Sequence, residues 1–373
     1  MGTVDSIEKK IKDIEDEIKK TQYNKATEHH IGKLKAKIAV LREKEEIAGK
    51  GGKHEGFDVK KSGNACVSLL GFPSVGKSTL LNALTNTASK VAAYAFTTLS
   101  VVPGMLEYDG AKIQILDLPG IISGAAQRKG RGREVLAVVR NSDLILIVVD
   151  PLNLKHYDVL KKELHSVGIR INKSPPRVSI TKNVGSGIVL VPMVKLTRMN
   201  EQIIKEILNT FNIFNAYVVL NEDVDEDEFI DAVVGNRKYT SVFVVVNKID
   251  LVNNLTVVKK ELANLSIKET DYAFVSAEKR KGVNELKEKI FKKLNFIKVY
   301  TKPVGSGSPD KEPLIMKKGS TIADFCDAIH RSMRYTLKFA IISGKSAKFN
   351  NQRVGLEHIL EDNDVVTLVV DRT

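Results

Sequence analysis

The chain has 373 residues, 43% of them hydrophobic and 28% charged, with a formal net charge of +13. That length suits two or three packed domains. The charge favours an anionic partner such as nucleic acid, nucleotide phosphates or an acidic membrane surface; an ordinary basic surface is the plainer alternative. The longest apolar run, "LILIVV" at 144–149, is far shorter than the roughly 20 residues of a membrane span. The first residues are charged and lack an apolar signal region, so no membrane partner is expected and the expected compartment is the cytoplasm. Cys66 and Cys326 lie far apart without CxxC spacing, which predicts two reduced core residues.

Ile7, Ile11, Ile14 and Ile18 recur at helical spacing, as do Ile31, Leu34, Ile38 and Leu41. They predict an amphipathic helical hairpin over 1–48 that has too little core to stand alone and packs on something else. A Gly- and Lys-rich linker follows over 49–64. From Ala65 onward, Val/Ile/Leu-rich strands alternate with helices: "ACVSLLGF", "STLLNALT", "AKIQILDLPG", "SDLILIVVD", "SVFVVVNKID", "DYAFVSAE" and "GVNELKEKIFKKL". This alternation predicts an α/β fold with a doubly wound, mostly parallel sheet, whose ligands bind at the carboxyl ends of the strands. Between Asp150 and Ser241 lie about ninety residues, where a crossover needs about 30. A small α+β insertion over 166–238 is therefore expected, dividing the α/β domain into 65–165 and 239–297. Its acidic stretch "NEDVDEDEF" is expected to be a solvated helix start rather than a calcium loop, because the glycine of such a loop is missing. Short strands around one helix then predict a small α+β domain over 298–373.

Gly71-x-x-x-x-Gly76-Lys77-Ser78 fits the P-loop pattern. Four fixed positions match by chance on the order of once in a hundred chains, so context must decide. The strand before and the helix after supply it. The glycines let successive backbone N–H groups face inward, and the helix aims its positive end at the same point. Lys77 can reach the β and γ phosphates, and the Ser78 hydroxyl can ligate Mg²⁺. In "DLPG", Asp117 can hold the metal through water and Gly120 can offer its N–H to a γ-phosphate. In "NKID", Asp250 can accept from N1–H and N2–H of guanine, a pair that adenine lacks, while Lys248 lies over the base beside Asn247. In "SAE", Ser276 to Glu278, the backbone can read the guanine oxygen. The order of these elements is that of GTPases. The expected nucleotide contacts are Gly71, Phe72, Pro73, Ser74, Val75, Gly76, Lys77, Ser78 and Thr79 in the first loop. Asp117, Leu118, Pro119, Gly120 and Ile121 belong to the second, Asn247, Lys248, Ile249 and Asp250 to the third, and Ser276 and Ala277 to the fourth. Thr97 and Thr98 compete for a place in the Mg²⁺ shell of the triphosphate state.

"GFPSVGKSTL", "FTTLSVVPG" and "DLPGII" resemble the Obg-type GTPases. "GFDVKKSG", "QRKGRGREVLAVVR", "GIRINKSPP", "VYTKP" and "VGLEHILEDNDVV" resemble, more narrowly, the developmentally regulated GTP-binding (DRG) family. The resemblance spans nearly the whole chain. It implies a helix-turn-helix-like N-terminus, a GTPase domain carrying an S5D2-like insertion, and a C-terminal TGS domain of β-grasp fold. It also implies a role in translation on ribosomes and a stabilising partner of the DRG family regulatory protein type; contact with ribosomal RNA is expected, and obligate homo-oligomerisation is not. By the same resemblance Thr98 is the Mg²⁺ ligand of the pair, which makes Lys77, Thr98 and Gly120 the expected catalytic set and Ser78 and Thr98 the metal ligands.

Where Ras-like GTPases carry the glutamine that orients water, this chain has Ile121, so slow intrinsic turnover is expected. Related GTPases without that glutamine often use K⁺ held partly by a P-loop asparagine. Ser74 stands there, which leaves K⁺ open. Arg128, Lys129, Arg131 and Arg133 in "QRKGRGRE" could meet ribosomal RNA, supply charge to phosphates, or form a solvated loop. Two function classes follow: a GTPase switch on ribosomes, or an RNA-binding scaffold in which nucleotide is structural.

Overall fold

The computed structural model describes residues 2–22, 24, 27–48, 61–85, 102–118, 138–183, 185 and 187–370. They divide into two compact units, one of residues 1–57 with 164–239 and the other of 58–163 with 240–373.

The larger unit is built on β1 (Ala65–Leu70), β2 (Val102–Tyr108), β3 (Ala111–Asp117), β4 (Leu144–Val149), β9 (Lys238–Val246) and β10 (Tyr272–Phe274). These strands run in the order β10-β9-β4-β1-β3-β2. Every neighbouring pair is parallel except β2 with β3. β1 and β4 are buried at every position, as unbroken apolar runs demand when both faces of a sheet are covered. Leu80, Leu81 and Leu84 of helix Lys77–Leu84 join Leu286 and Ile290 of helix Val283–Lys293 in the core with Leu69, Ile115 and Phe243. Because β1 runs first to β3 on one side and then to β4 on the other, a crevice opens at the carboxyl ends of these strands.

A second sheet follows in the same unit, formed by β11 (Phe296–Thr301), β12 (Leu314–Lys317), β13 (Leu337–Ser343), β14 (Gln352–Val354) and β15 (Asp364–Val370). Its order is β12-β11-β15-β13-β14, with β11 and β15 parallel at the centre. Ile322, Phe325 and Cys326 of helix Ile322–Ile329 pack onto Val299, Ile342 and Val366, giving a β-grasp arrangement. The boundary expected at 298 falls inside β11, so it moves back to 296: Phe296 and Ile297 already pair with Lys317 and Met316. The small sheet is docked on the large one. Ile315 lies in the core that holds Ile113 and Leu106. The Phe296 ring is 5.5 Å from Phe291, and that ring is 5.7 Å from Tyr108. Lys298 pairs with Asp109 at 2.6 Å, and Lys317 with Asp143 at 2.6 Å. The end of the expected linker also belongs to this structure. Gly63 bridges Ile113, and the Asn64 amide donates to the Ile315 carbonyl.

The other unit joins the N-terminal hairpin, helices Gly2–Lys20 and Glu28–Ala48, to the inserted segment. The insertion opens with β5 (Ile169–Ile171). β6 (Val178–Lys182), β7 (Ile188–Pro192) and β8 (Ala216–Leu220) form a sheet in the order β6-β8-β7. Helices Glu201–Thr210 and Glu226–Val234 cover its inner face with Ile204, Ile207 and Phe229. Helix Glu28–Ala48 lies on both of these helices and brings Ala36 and Ala39 into their core. A Cβ at Gly32 would meet Ile203 Cγ2 at 3.4 Å. So this helix buries a small-residue stripe as well as Ile31 and Leu34. Lys35 fixes the contact by pairing with Glu226 at 3.0 Å and Asp227 at 2.9 Å. In the acidic stretch, Asp225 caps helix Glu226–Val234 in a capping box with Glu228. Arg198 pairs with both carboxylates.

Candidate nucleotide-binding site

The expected site residues among those described come from the carboxyl ends of β1, β3, β9 and β10, with the end of β4 beside them. Register brings those ends level: Leu69 pairs with Asp117, and Val149 with Val246. The loop after β1 needs both of its glycines. A Cβ on Gly71 would stand 2.6 Å from the Val148 carbonyl oxygen. Gly76 has φ +87°, and a Cβ there would stand 2.5 Å from Asn247 Nδ2. Gly76 starts helix Lys77–Leu84 without a side-chain cap, leaving its first N–H groups for an anion.

Lys77 is buried and folds back over the loop, donating to the carbonyls of Gly71 at 3.0 Å and Phe72 at 3.1 Å. Burial pushes its ammonium below the usual lysine range, and the nearby Asp117 only partly offsets this. Such an ammonium gains from an incoming phosphate. The Ser78 hydroxyl donates to Asp117 Oδ2 at 2.5 Å. This hard-oxygen pair beside a lysine fits Mg²⁺, an ion that takes oxygen ligands and keeps several of its waters. Pro73, Ser74 and Thr79 are exposed at the mouth, and Ser74 adopts φ +63°. Val75, Leu118 and Ile249 turn their side chains into the core, so only their backbones can serve a ligand.

Asn247 does more than its place in a motif announces. Its Nδ2 donates to the Val75 carbonyl at 3.0 Å and its Oδ1 accepts from the Ala277 N–H at 3.0 Å, at 2% exposure. One side chain thus ties the phosphate loop to both guanine-reading loops. Asp250 sits in a 3-10 turn, Ile249–Leu251. The Ser276 hydroxyl beside it, helped by Lys279 and Lys248, holds its carboxyl below the usual carboxylate range. It therefore stays ionised, as an acceptor of two base N–H groups must. Ser276 is buried and pairs with Lys281 through both backbone groups, while Glu278 is exposed. Two neighbours escaped the sequence reading. Asp150 faces the Lys248 ammonium at 3.3 Å, and His156 stacks on Phe72 with ring centroids 4.0 Å apart. Both were visible only as polar residues following the β4 run. Thr97, Thr98, Pro119, Gly120, Ile121 and the basic stretch Gln127–Glu134 lie outside the described residues.

A parallel sheet with this phosphate loop, a hydroxyl and a carboxylate beside its lysine, and an aspartate on a separate base loop defines a guanine-nucleotide-binding protein of the P-loop class. A family model described as a 50S ribosome-binding GTPase matches residues 66–182, and the model for that domain's C-terminal region matches 185–296. A TGS domain model matches 297–370. An uncharacterized GTP-binding protein of Methanocaldococcus jannaschii is 52% identical over 374 residues, covering 100% of this chain and 95% of its own. Developmentally-regulated GTP-binding protein 2 of Homo sapiens is 45% identical over 363 residues, covering 96% and 98%. Among solved structures, the Schizosaccharomyces pombe YchF GTPase aligns with TM-score 0.45 and 15% identity, covering 83% of this chain and 99% of that one. The chain belongs to the developmentally regulated GTP-binding protein family.

Among the described residues, no helix is long and apolar enough to cross a membrane.

Proposed function

We propose that the chain is a GTP-hydrolysing switch that works in translation by associating with ribosomes. The observation that carries the hydrolytic part is Lys77, Ser78 and Asp117 gathered at one uncapped helix start. Lys77 would exchange its two carbonyl partners for phosphate oxygens, Ser78 would ligate Mg²⁺ and Asp117 would hold it through water. When bound with the triphosphate, Mg²⁺ neutralises charge on the transferring group. By the family resemblance, Thr98 would complete the metal shell and the Gly120 N–H would meet the γ-phosphate. With Ile121 in place of a water-orienting glutamine, turnover by the free protein is slow and water is positioned by a partner or by K⁺ beside Ser74.

Support for the ribosomal part comes from the description of the matching family model, the TGS match and the net charge of +13. Of the basic residues in the last domain, Lys317 is held by Asp143, Arg334 by Asp327, and Arg353 lies over the Phe339 ring. Lys318, Arg331, Lys345 and Lys348 are exposed and suit RNA phosphates, a contact that weakens steeply with salt. A DRG family regulatory protein is the expected stabilising partner. Single-turnover hydrolysis with and without ribosomes, in Na⁺ and in K⁺, tests the proposal. Slow turnover alone and a ribosome-dependent rise are expected. Equal rates, with no co-sedimentation at low salt, would overturn it.

A further inference from the structure

We infer that Asp150 is a positioning residue for guanine recognition, holding the Lys248 side chain over the base. This rests on guanine binding at the Asn247–Asp250 loop. Asp150 directly follows β4 and Asn247 directly follows β9, and the two strands end in register at Val149 and Val246. The Asn247 N–H donates to the Val149 carbonyl at 2.9 Å, so the residues next in line meet at the crevice. The Asp150 carboxylate is itself fixed. Its Oδ1 accepts from the Leu152 N–H at 2.9 Å, and its Oδ2 faces Lys248 Nζ at 3.3 Å. The Asp150 side chain is 14% exposed and that of Lys248 35%.

Lys248 has φ +60°, so its backbone is committed to one tight turn and only the side chain is left to place. A lysine has a long flexible stem whose rotamers are lost when it is pinned. With the ammonium anchored on a fixed carboxylate, that loss is met before a nucleotide arrives, and the methylenes form a ready wall for a ring face. Asp250 reads the hydrogen-bonding edge of guanine. The Asp150–Lys248 pair acts on the ring face, so it raises affinity for any purine seated in this loop and leaves edge discrimination alone.

The test measures GTP, GDP, guanosine and ITP binding by the full-length chain and by Asp150→Asn, Lys248→Met, the double variant and Asp250→Asn. Asp150→Asn keeps the acceptor for Leu152 and the shape but removes the charge. It should weaken all four ligands by one common factor of about three- to tenfold, as loss of a largely buried charge pair does. The loss should shrink with added salt and vanish in the Lys248→Met background, whereas a purely structural role for Asp150 would persist there. Asp150→Glu should recover part of it. Unchanged affinity at low salt, a full loss in the Lys248→Met background, or a changed GTP/ITP ratio would each overturn the inference. If Asp250→Asn loses GTP while Asp150→Asn does not, the guanine loop stands and Asp150 has no part in it. If neither changes binding, the base site itself lies elsewhere.

Discussion

Replacing Asn247 with alanine should separate the phosphate loop from the base loops. The side chain makes one hydrogen bond to each, both 3.0 Å long and both buried. Each contributes about 1 kcal/mol net, and the Ala277 N–H left buried without an acceptor costs about 1–3 kcal/mol more. The total is about 3–5 kcal/mol, shared between folding stability and the alignment of the loops. If two-thirds of that falls on nucleotide binding, affinity for GDP drops roughly 30- to 200-fold at about 1.4 kcal/mol per decade. Asn247→Asp is a second probe. It retains the acceptor for Ala277 but sets a carboxylate against the Val75 carbonyl, so its loss should be at least as large. Gly76→Ala attacks the same bridge from the other side, since its Cβ would stand 2.5 Å from Asn247 Nδ2. Stopped-flow release of a fluorescent GDP analogue, with thermal melts of the nucleotide-free protein, gives both shares. GDP affinity within twofold of the parent for Asn247→Ala, together with an unchanged melt, would refute the bridge.

Asp250→Asn should lose about 2–4 kcal/mol of GTP binding, the worth of a charge-assisted pair, while xanthosine triphosphate binding improves because the new amide can donate to the C2 oxygen. Competition binding decides, and parental GTP affinity would remove Asp250 as the base reader. Burial pushes the Cys66 thiol up to about 11, so iodoacetamide at pH 8 should leave it intact in the folded chain. Labelling as fast as in denaturant would contradict that. Burial alone would raise the Asp143 carboxyl, but Lys317, the Cys66 N–H and Lys61 together hold it below 3.8. A carboxylate with a lowered folded value contributes stability that is complete above its unfolded value and is lost as pH falls through the folded one. Lys317→Ala removes the largest opposing contact, so its acid-unfolding midpoint should move to higher pH in a fluorescence titration; an unmoved midpoint counts against the pair.

Much of the site was legible because its chemistry is local. "GFPSVGKS" and "NKID" each fix their geometry within a few residues, and "LILIVV" could only be a strand covered on both faces. What stayed hidden depends on distance. The Asn247–Val75 bond joins residues 172 apart, and nothing in "NKID" tells where the amide points. Helix Glu28–Ala48 shows its Ile and Leu positions at once, but Gly32, Ala36 and Ala39 read as neutral until two other helices lie against them. Ile315 lies in a short strand of the last domain, and nothing in its sequence neighbourhood tells that its side chain joins the core of the adjoining sheet. β2 was missed because it pairs backward along β3 as an edge strand, outside the parallel pattern that guided the reading.

The docking of β12 bears on how the chain is made. Synthesis proceeds from the N-terminus, and domains tend to fold as they emerge. Here the apolar patch around Leu106, Ile113 and Tyr108 is joined by Ile315 and, through the Phe291 ring, by Phe296. The core around β1 and β3 therefore remains unfinished on one side until residues 296–317 have been added, long after its own strands are complete. A nascent chain halted before that point presents a sticky edge, and the final domain acts as the closing piece of the one before it.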